Sequence, residues 1–268
     1  MDFNLITKIR QTNPLIHNIT NIVVANYVAN GLLALGASPI MADAEEEMAD
    51  LAQFSAALVI NIGTLDPFKV KAMLAAGKAA NKAGIPVVLD PVGVGATQYR
   101  KDVVAELFNT VKFTAIRGNA GEIAQLAGVN WAAKGVDAGQ GEGDVAQIAK
   151  LAALRHQCVV AVSGAVDYIS DGMQVAAIDN GTPMFPKITG SGCLLGAVLG
   201  AFLAVDPSQP FNAVVQASTA YAVAGQLAAK ELGSTKYGQF YTALLDQLGE
   251  LNEQQVAQFA RVNIEQSA

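Results

Sequence analysis

The sequence predicts an α/β fold: a three-layer αβα sandwich with a mainly parallel central sheet, in one domain over residues 1–268. Two observations carry the prediction. Short, apolar, β-branched runs alternate with helical patterns through the middle of the chain, and that alternation implies parallel strands covered by helices on both faces. Hydrophobic residues make up 52% of the chain and charged residues only 15%. Much of it must therefore be interior, or buried between subunits in an interface that resembles a core cut in half.

The elements follow in order. Pro14–Ala42 is apolar but carries Asn18, Thr20, Asn21, Asn26 and Asn30. Buried amides need partners, so the segment suits a neutral ring-shaped ligand, a subunit interface or ordinary core packing. Ala56–Gly63 reads as a buried strand. Asp66 and Pro67 open a helix as N-cap and first residue, and Gly84 ends it. Val70, Met73, Leu74 and Gly77 share one face of that helix. Ile85–Gly93 is a strand ending in an acid, followed by a helix around Asp102–Asn109 and a strand over Phe113–Asn119. Ala120–Gly128 is a short helix stopped by glycine, Gly135–Asp144 a glycine-rich loop, and a helix follows to about Arg155. Cys158–Gly164 is one more buried strand. Asp171-Gly172 and Asn180-Gly181 mark turns of hairpin-like strands over Asp167–Phe185. After Gly190 the chain reads as wholly helical, with a more polar last segment over Asn252–Val262. No linker, repeat or low-complexity segment interrupts it.

The formal charge of −6 and pI of about 4.9, with no basic cluster, exclude a nucleic-acid partner. The apolar run Cys193–Val205 has 13 residues, short of the roughly 20 a spanning helix needs, so no membrane role is expected. Two lone cysteines, Cys158 and Cys193, and an amphipathic, charged start suggest a reducing cytoplasm.

Ligands of parallel α/β folds sit at the carboxyl ends of strands. Candidate chemistry therefore lies at Asp90, Arg117–Glu122, Ser163-Gly164 and the turn before Cys193. In Gly190-Ser191-Gly192-Cys193 the glycines let backbone amides approach an anion at a helix N-terminus. A phosphoryl group in transfer would be held there, unless the stretch is only a tight turn into a buried helix. Cys193 in the first helical turn is expected to have a lowered pKa, which suits a nucleophile or a weak base. A cysteine hydrolase would need His17 or His156, and His156 reads as solvated. Asp90 ends a buried strand and is costly there unless paired or near a metal. Mg²⁺ carried by phosphates takes one or two carboxylates, although Asp90 could equally cap its turn and Glu122 its helix. Arg117 is either a phosphate ligand or a surface ion pair. Met41 could lie against an aromatic or sulfur ring. Gln98 stands where a GxGxxG fingerprint needs glycine, which removes a dinucleotide reading.

The segments PLIHNITNIVVANYVANGLLALGASPIMA, NIGTL, LDPVGVGAT, AIRGNAGEIAQLAGV, KGVDAG, DYISDG and ITGSGCLLGA occur in that order from Pro14 onward. Together they resemble the hydroxyethylthiazole kinases of thiamine salvage, within the ribokinase-like superfamily, over about Pro14 to Gln247. The resemblance implies ATP-dependent phosphorylation of the primary alcohol of 4-methyl-5-(2-hydroxyethyl)thiazole. It implies substrate contacts at Met41, Gly190 and Cys193, and thiazole-pocket residues Asn21 and Val23 lent across an interface. Arg117, Ser163 and Asn119 are implied at the nucleotide, and Asp90 and Glu122 at Mg²⁺. Catalysis is implied at Cys193 with Gly190, Ser191 and Gly192. Cys193 stands where sugar-kinase relatives carry an aspartate. A homotrimer with sites between subunits is implied as well. Ser163, Ala165 and Gly121 depart from the usual Thr, Glu and Ser or Ala of the family. A pyrimidine or other vitamin-alcohol kinase, and a non-catalytic binding relative, are the alternatives.

Overall fold

The computed structural model describes residues 2–131 and 144–266. The chain runs α1 (Leu5–Thr12), β1 (Leu15–Ile19), α2 (Ala25–Leu35), β2 (Ser38–Met41), α3 (Met48–Phe54), β3 (Ala57–Asn61), α4 (Pro67–Ala83), β4 (Val87–Asp90), α5 (Gln98–Thr110), β5 (Ala115–Asn119), α6 (Ala120–Ala127) and α7 (Val145–His156). It continues through β6 (Val159–Ser163), β7 (Asp167–Ser170), β8 (Gln174–Ile178), α8 (Ser191–Val205), α9 (Pro210–Ala229), α10 (Tyr237–Glu250), α11 (Glu253–Phe259) and β9 (Val262–Gln266). The strands form one sheet in the order β2-β1-β3-β4-β5-β6-β7-β8-β9. β2 through β6 pair in parallel, and β7, β8 and β9 add antiparallel.

Alternation along the strands builds two cores. Ala57 and Val59 pack with α1, α2, α8, α9 and α10 on one face, while Leu58 and Ile60 pack with α3 to α7 on the other. This is the three-layer sandwich the alternation predicts. Local signals set several boundaries as expected. Asp66 Oδ1 accepts from the amides of Phe68 and Lys69, both at 2.9 Å, and Gly84 ends α4 at φ 73°. β7 and β8 form the expected hairpin through the Asp171-Gly172 turn.

Three expectations are corrected. α5 starts at Gln98 rather than near Asp102, because Thr97 Oγ1 caps it by accepting from the Arg100 amide. The chain after Gly190 is not wholly helical: β9 closes the sheet edge, anchored where the Arg261 amide donates to Asn180 Oδ1 at 2.7 Å. Its one-faced, polar alternation conceals a strand at a sheet edge. Pro14–Ala42, read only as an odd apolar segment, divides into β1, α2 and β2. The glycine-rich loop expected over Gly135–Asp144 lies outside the described residues except for Asp144, which caps α7.

α8 is the central helix. Leu194, Leu199 and Phe202 are wholly buried, each contributing about 1.5–3 kcal/mol over exposure. Its small-residue stripe lies on the sheet: a Cβ on Gly200 would stand 2.7 Å from Val59, and one on Gly192 2.5 Å from the Arg117 guanidinium. At 15 residues α8 falls short of the roughly 20 a bilayer needs, and no helix among the described residues is long and apolar enough to cross a membrane. Gly190 enters α8 at φ 90°, with an added Cβ 2.8 Å from Val24 Cγ1. Gly190→Ala therefore destabilises the protein by about 1–3 kcal/mol. A lower urea midpoint at unchanged m-value is the expected readout.

Candidate active site

β1 leads outward to β2 on one side, and β3 returns on the other. Sheet order thus reverses between β1 and β3, and ligands of open α/β sheets bind outside the strand carboxyl ends at such a point. Asn21 follows β1, Asn61 ends β3, Asp90 ends β4, Asn119 ends β5 and Ser163 ends β6. The N-terminus of α8 lies over these ends, since Gly192 abuts Arg117 and Gly196 faces Asp90.

Asp90 is wholly buried. Its Oδ2 accepts from Asn61 Nδ2 at 2.7 Å. Its Oδ1 has no hydrogen-bond partner among the described residues and faces Arg117 Nη1 at 3.6 Å. Burial pushes the carboxyl up to about 7, with Glu122 adding to the rise and Arg117 and Asn61 opposing it. Arg117 also donates from Nε and Nη2 to Ser163 Oγ at 3.2 and 3.1 Å. The surface-pair reading of Arg117 fails, because its side chain is only 12% exposed and points into the site.

Cys193 occupies the third position of α8, and Asn21 Nδ2 donates to its sulfur at 3.4 Å. The expected lowering of its pKa is corrected. Burial and the nearby Asp90 push the thiol up to about 12, outweighing Arg117 and the amide donors. The nucleophile reading fails on geometry too. Ile16 packs in the layer of α8 and Ile19 in the opposite layer, so alternation places His17 across the sheet from Cys193. His156 lies in that opposite layer as well. It is half-buried rather than solvated, stacked on Phe108 at 4.0 Å with Nε2 3.1 Å from the Leu126 carbonyl.

The amides of Ser191, Gly192 and Cys193 have no hydrogen-bond partner among the described residues; the first amide of α8 with one is Leu194, bonded to the Gly190 carbonyl. Three donors at a helix N-terminus beside a guanidinium form an anion cradle. Ser191 is fixed in place: its Oγ donates to the Phe185 carbonyl at 2.8 Å, and its carbonyl accepts from Tyr221 at 2.7 Å.

The remaining candidates divide. Glu122 forms a capping box with Asn119, whose Oδ1 accepts from the Glu122 amide. The two Glu122 carboxylate oxygens accept from the amides of Gly93 and Asn119, each at 2.8 Å. The capping reading of Glu122 is therefore realised, and its bond to the Gly93 amide ties the turn after Asp90 to α6. Asp90, by contrast, caps no amide of that turn among the described residues: its Oδ2 accepts from Asn61. Met41 ends β2, half-buried against the α8 layer. Asn21 points into this chain's own site, whereas Val23 is 67% exposed beside Ile22 at 75%. Sequence reasoning missed Asn61, the 2%-exposed amide between Asn21 and Asp90. It also missed Arg100, which braces the β3 and β4 loops through the carbonyls of Ile62, Val92 and Gly63. A polar residue closing an otherwise apolar strand was the available signal for Asn61.

The architecture is matched by a ribokinase-like superfamily protein from Enterococcus faecalis at 11% identity and TM-score 0.62, over 93% of this chain and 95% of that one. The fold is thus ribokinase-like. The profile described as the hydroxyethylthiazole kinase family matches residues 6–254. A hydroxyethylthiazole kinase from Pasteurella multocida is 62% identical over 96% of this chain and 97% of its own length. A solved hydroxyethylthiazole kinase from Pyrococcus horikoshii superposes with TM-score 0.89 at 39% identity, covering 98% of both chains. The chain belongs to the hydroxyethylthiazole kinase family.

Proposed function

We propose that this chain transfers the γ-phosphoryl group of ATP to the primary alcohol of 4-methyl-5-(2-hydroxyethyl)thiazole, giving the thiazole phosphate and ADP. The observation that carries the reading is the convergence of three unpartnered α8 amides, Arg117 and the orphaned Asp90 Oδ1 beside Cys193. Phosphoryl transfer passes through a loose transition state, so positioning and electrostatics supply most of the catalysis. The Ser191, Gly192 and Cys193 amides hold the migrating oxygens, and Arg117, steadied by Ser163, offsets charge on the phosphates. The alcohol lies against Cys193, and the thiazole ring lies toward Asn21 and Met41.

Mg²⁺ fits this site. Asp90 Oδ1 is a buried oxygen with no hydrogen-bond partner among the described residues, and each Glu122 oxygen accepting one amide keeps a further lone pair. Asp90 would hold the ion and Glu122 its surrounding waters. When bound, it would neutralise charge on the phosphate oxygens. Exposed Ile22 and Val23, adjoining buried Asn21, support a neighbouring subunit covering the pocket mouth. We expect light scattering to give the mass of a homotrimer.

Because burial and the nearby Asp90 push the Cys193 thiol up to about 12, we expect it to keep its proton. Cys193 then positions the alcohol, and the alcohol's proton passes to a phosphate oxygen as the new ester bond forms. Cys193→Ser keeps a group that can accept from Asn21, and is expected to lower kcat about tenfold without abolishing turnover. Cys193→Asp, the residue of sugar-kinase relatives, is expected to be tolerated. Complete loss in the serine variant with a trapped covalent adduct on the wild type would refute this role. Coupled ADP release over a panel of thiazole and pyrimidine alcohols tests the function itself. Preference for a pyrimidine alcohol, or binding without turnover, would overturn it.

A further inference from the structure

We propose that Asn61 is a positioning residue that sets the hydrogen-bond direction of Asn21, Asp90 and, through Asn21, Cys193. The inference rests on the phosphotransfer reading and deepens it. Asn61 is 2% exposed and lies opposite Asp90 in the β3–β4 register. The Gly63 backbone amide, which can only donate, points at Asn61 Oδ1 at 2.9 Å. That single contact fixes which end of the Asn61 amide is oxygen.

The rest follows by hydrogen-bond directionality. With its oxygen on Gly63, Asn61 turns its NH₂ to Asp90 Oδ2 at 2.7 Å. Oδ2 is thereby engaged, and Oδ1 is the oxygen left facing Arg117 and the cradle. The same Asn61 oxygen receives Asn21 Nδ2 at 2.9 Å, which obliges Asn21 to present its NH₂ inward. The second hydrogen of that NH₂ goes to Cys193 Sγ at 3.4 Å. The sulfur is then the acceptor in this contact, so its own proton points away from Asn21. One backbone amide thus orients, through Asn61, the free Asp90 oxygen and the face that Cys193 turns to the alcohol. Gly63 belongs to the device sterically as well, because a Cβ there would stand 2.8–2.9 Å from Asn21 Nδ2, Cβ and Cγ.

Two variants separate the arms. Asn61→Asp has the same shape and still accepts from Gly63 and Asn21, but as a carboxylate it cannot donate to Asp90. If the two carboxyls share a proton, the bond is restored only with one buried charge of the pair neutralised. It is expected to lower kcat about 100-fold, with KM for the thiazole alcohol and for ATP within about threefold. Gly63→Ala displaces Asn21 and leaves the Asn61–Asp90 bond. It is expected to lower kcat about tenfold, and to change the rate of Cys193 alkylation by iodoacetamide in nucleotide-free protein several-fold, read by peptide mass spectrometry. The proposal is overturned if folded Asn61→Asp keeps kcat within about twofold, or if its whole loss lies in KM. It is also overturned if Gly63→Ala leaves both kcat and Cys193 alkylation unchanged. Should Asn61→Asp not fold, Gly63→Ala decides. Failure of the thiazole assignment shows as a silent wild type, whereas failure of this proposal shows only in the variants, and the alkylation arm needs no substrate.

Discussion

Arg117→Met lowers kcat by about 10³-fold while the protein stays folded. Arg117 touches two parts of the site at once. Its Nε and Nη2 hold Ser163 Oγ, and Nη1 lies 3.6 Å from the only unpartnered oxygen of Asp90. Stripping one partner from a buried ion pair commonly costs about 3–5 kcal/mol, because the other charge is stranded. Here the stranded group has an exit. Burial already pushes Asp90 up to about 7, and losing Arg117 removes an influence that lowers it. Near neutral pH the carboxyl then takes a proton instead of remaining a bare buried charge. Thermal unfolding should therefore shift little while turnover collapses. Arg117→Lys is not expected to rescue, since a single ammonium cannot serve Ser163 and Asp90 as the planar fork does. Steady-state kinetics beside melting curves give the result, and a kcat within about tenfold of wild type would remove Arg117 from the phosphates.

Much of the fold is legible in the sequence for a simple reason. β3, β4 and β6 are buried along nearly their whole length, so they read as apolar runs rich in β-branched residues, and neighbouring helices carry explicit stops such as Gly84 and Gly128. The edges are not legible in this way. β2 and β9 are only half-buried or exposed, and a strand with one wet face and mixed polarity leaves no strong pattern. α5 began early because its cap, Thr97, lies inside a glycine-rich turn that reads as loop.

The site divides along the same line. Groups tied to a local backbone signal, such as the Gly190–Cys193 turn and the acid closing β4, stand out in the chain. Asn61 does not, because its meaning depends on register: β3 and β4 are 29 residues apart at the Asn61–Asp90 contact. The Cys193 thiol shows the opposite failure. A helix N-terminus lowers a thiol pKa when the sulfur is partly solvated, but here the sulfur is buried beside a carboxyl. The local rule was outweighed by surroundings that only the fold supplies. The histidines are a third case. Sequence leaves His17 open to Cys193 and reads His156 as solvated; strand alternation then puts His17 behind the sheet, and α7, packed in that layer, carries His156 there.

Gly192→Ala tests the cradle without removing any functional group. A methyl at that position would stand 2.5–2.8 Å from three atoms of the Arg117 guanidinium and meets no closer neighbour. The obstructed group is the far end of a flexible side chain, so α8 can keep its course while Arg117 swings aside. Alanine is also the better helix former, worth up to about 1 kcal/mol over glycine. Stability should therefore be unchanged or slightly raised, while kcat falls about 100-fold because the guanidinium is misplaced by an ångström or more. The double variant decides the cause. If the methyl acts by moving Arg117, then adding Gly192→Ala to Arg117→Met costs almost nothing further, and the two losses are strongly non-additive. If the losses multiply instead, the Gly192 amide or the space above it contributes directly to holding the phosphoryl group, and the close approach of α8 to the sheet serves the cradle rather than the arginine.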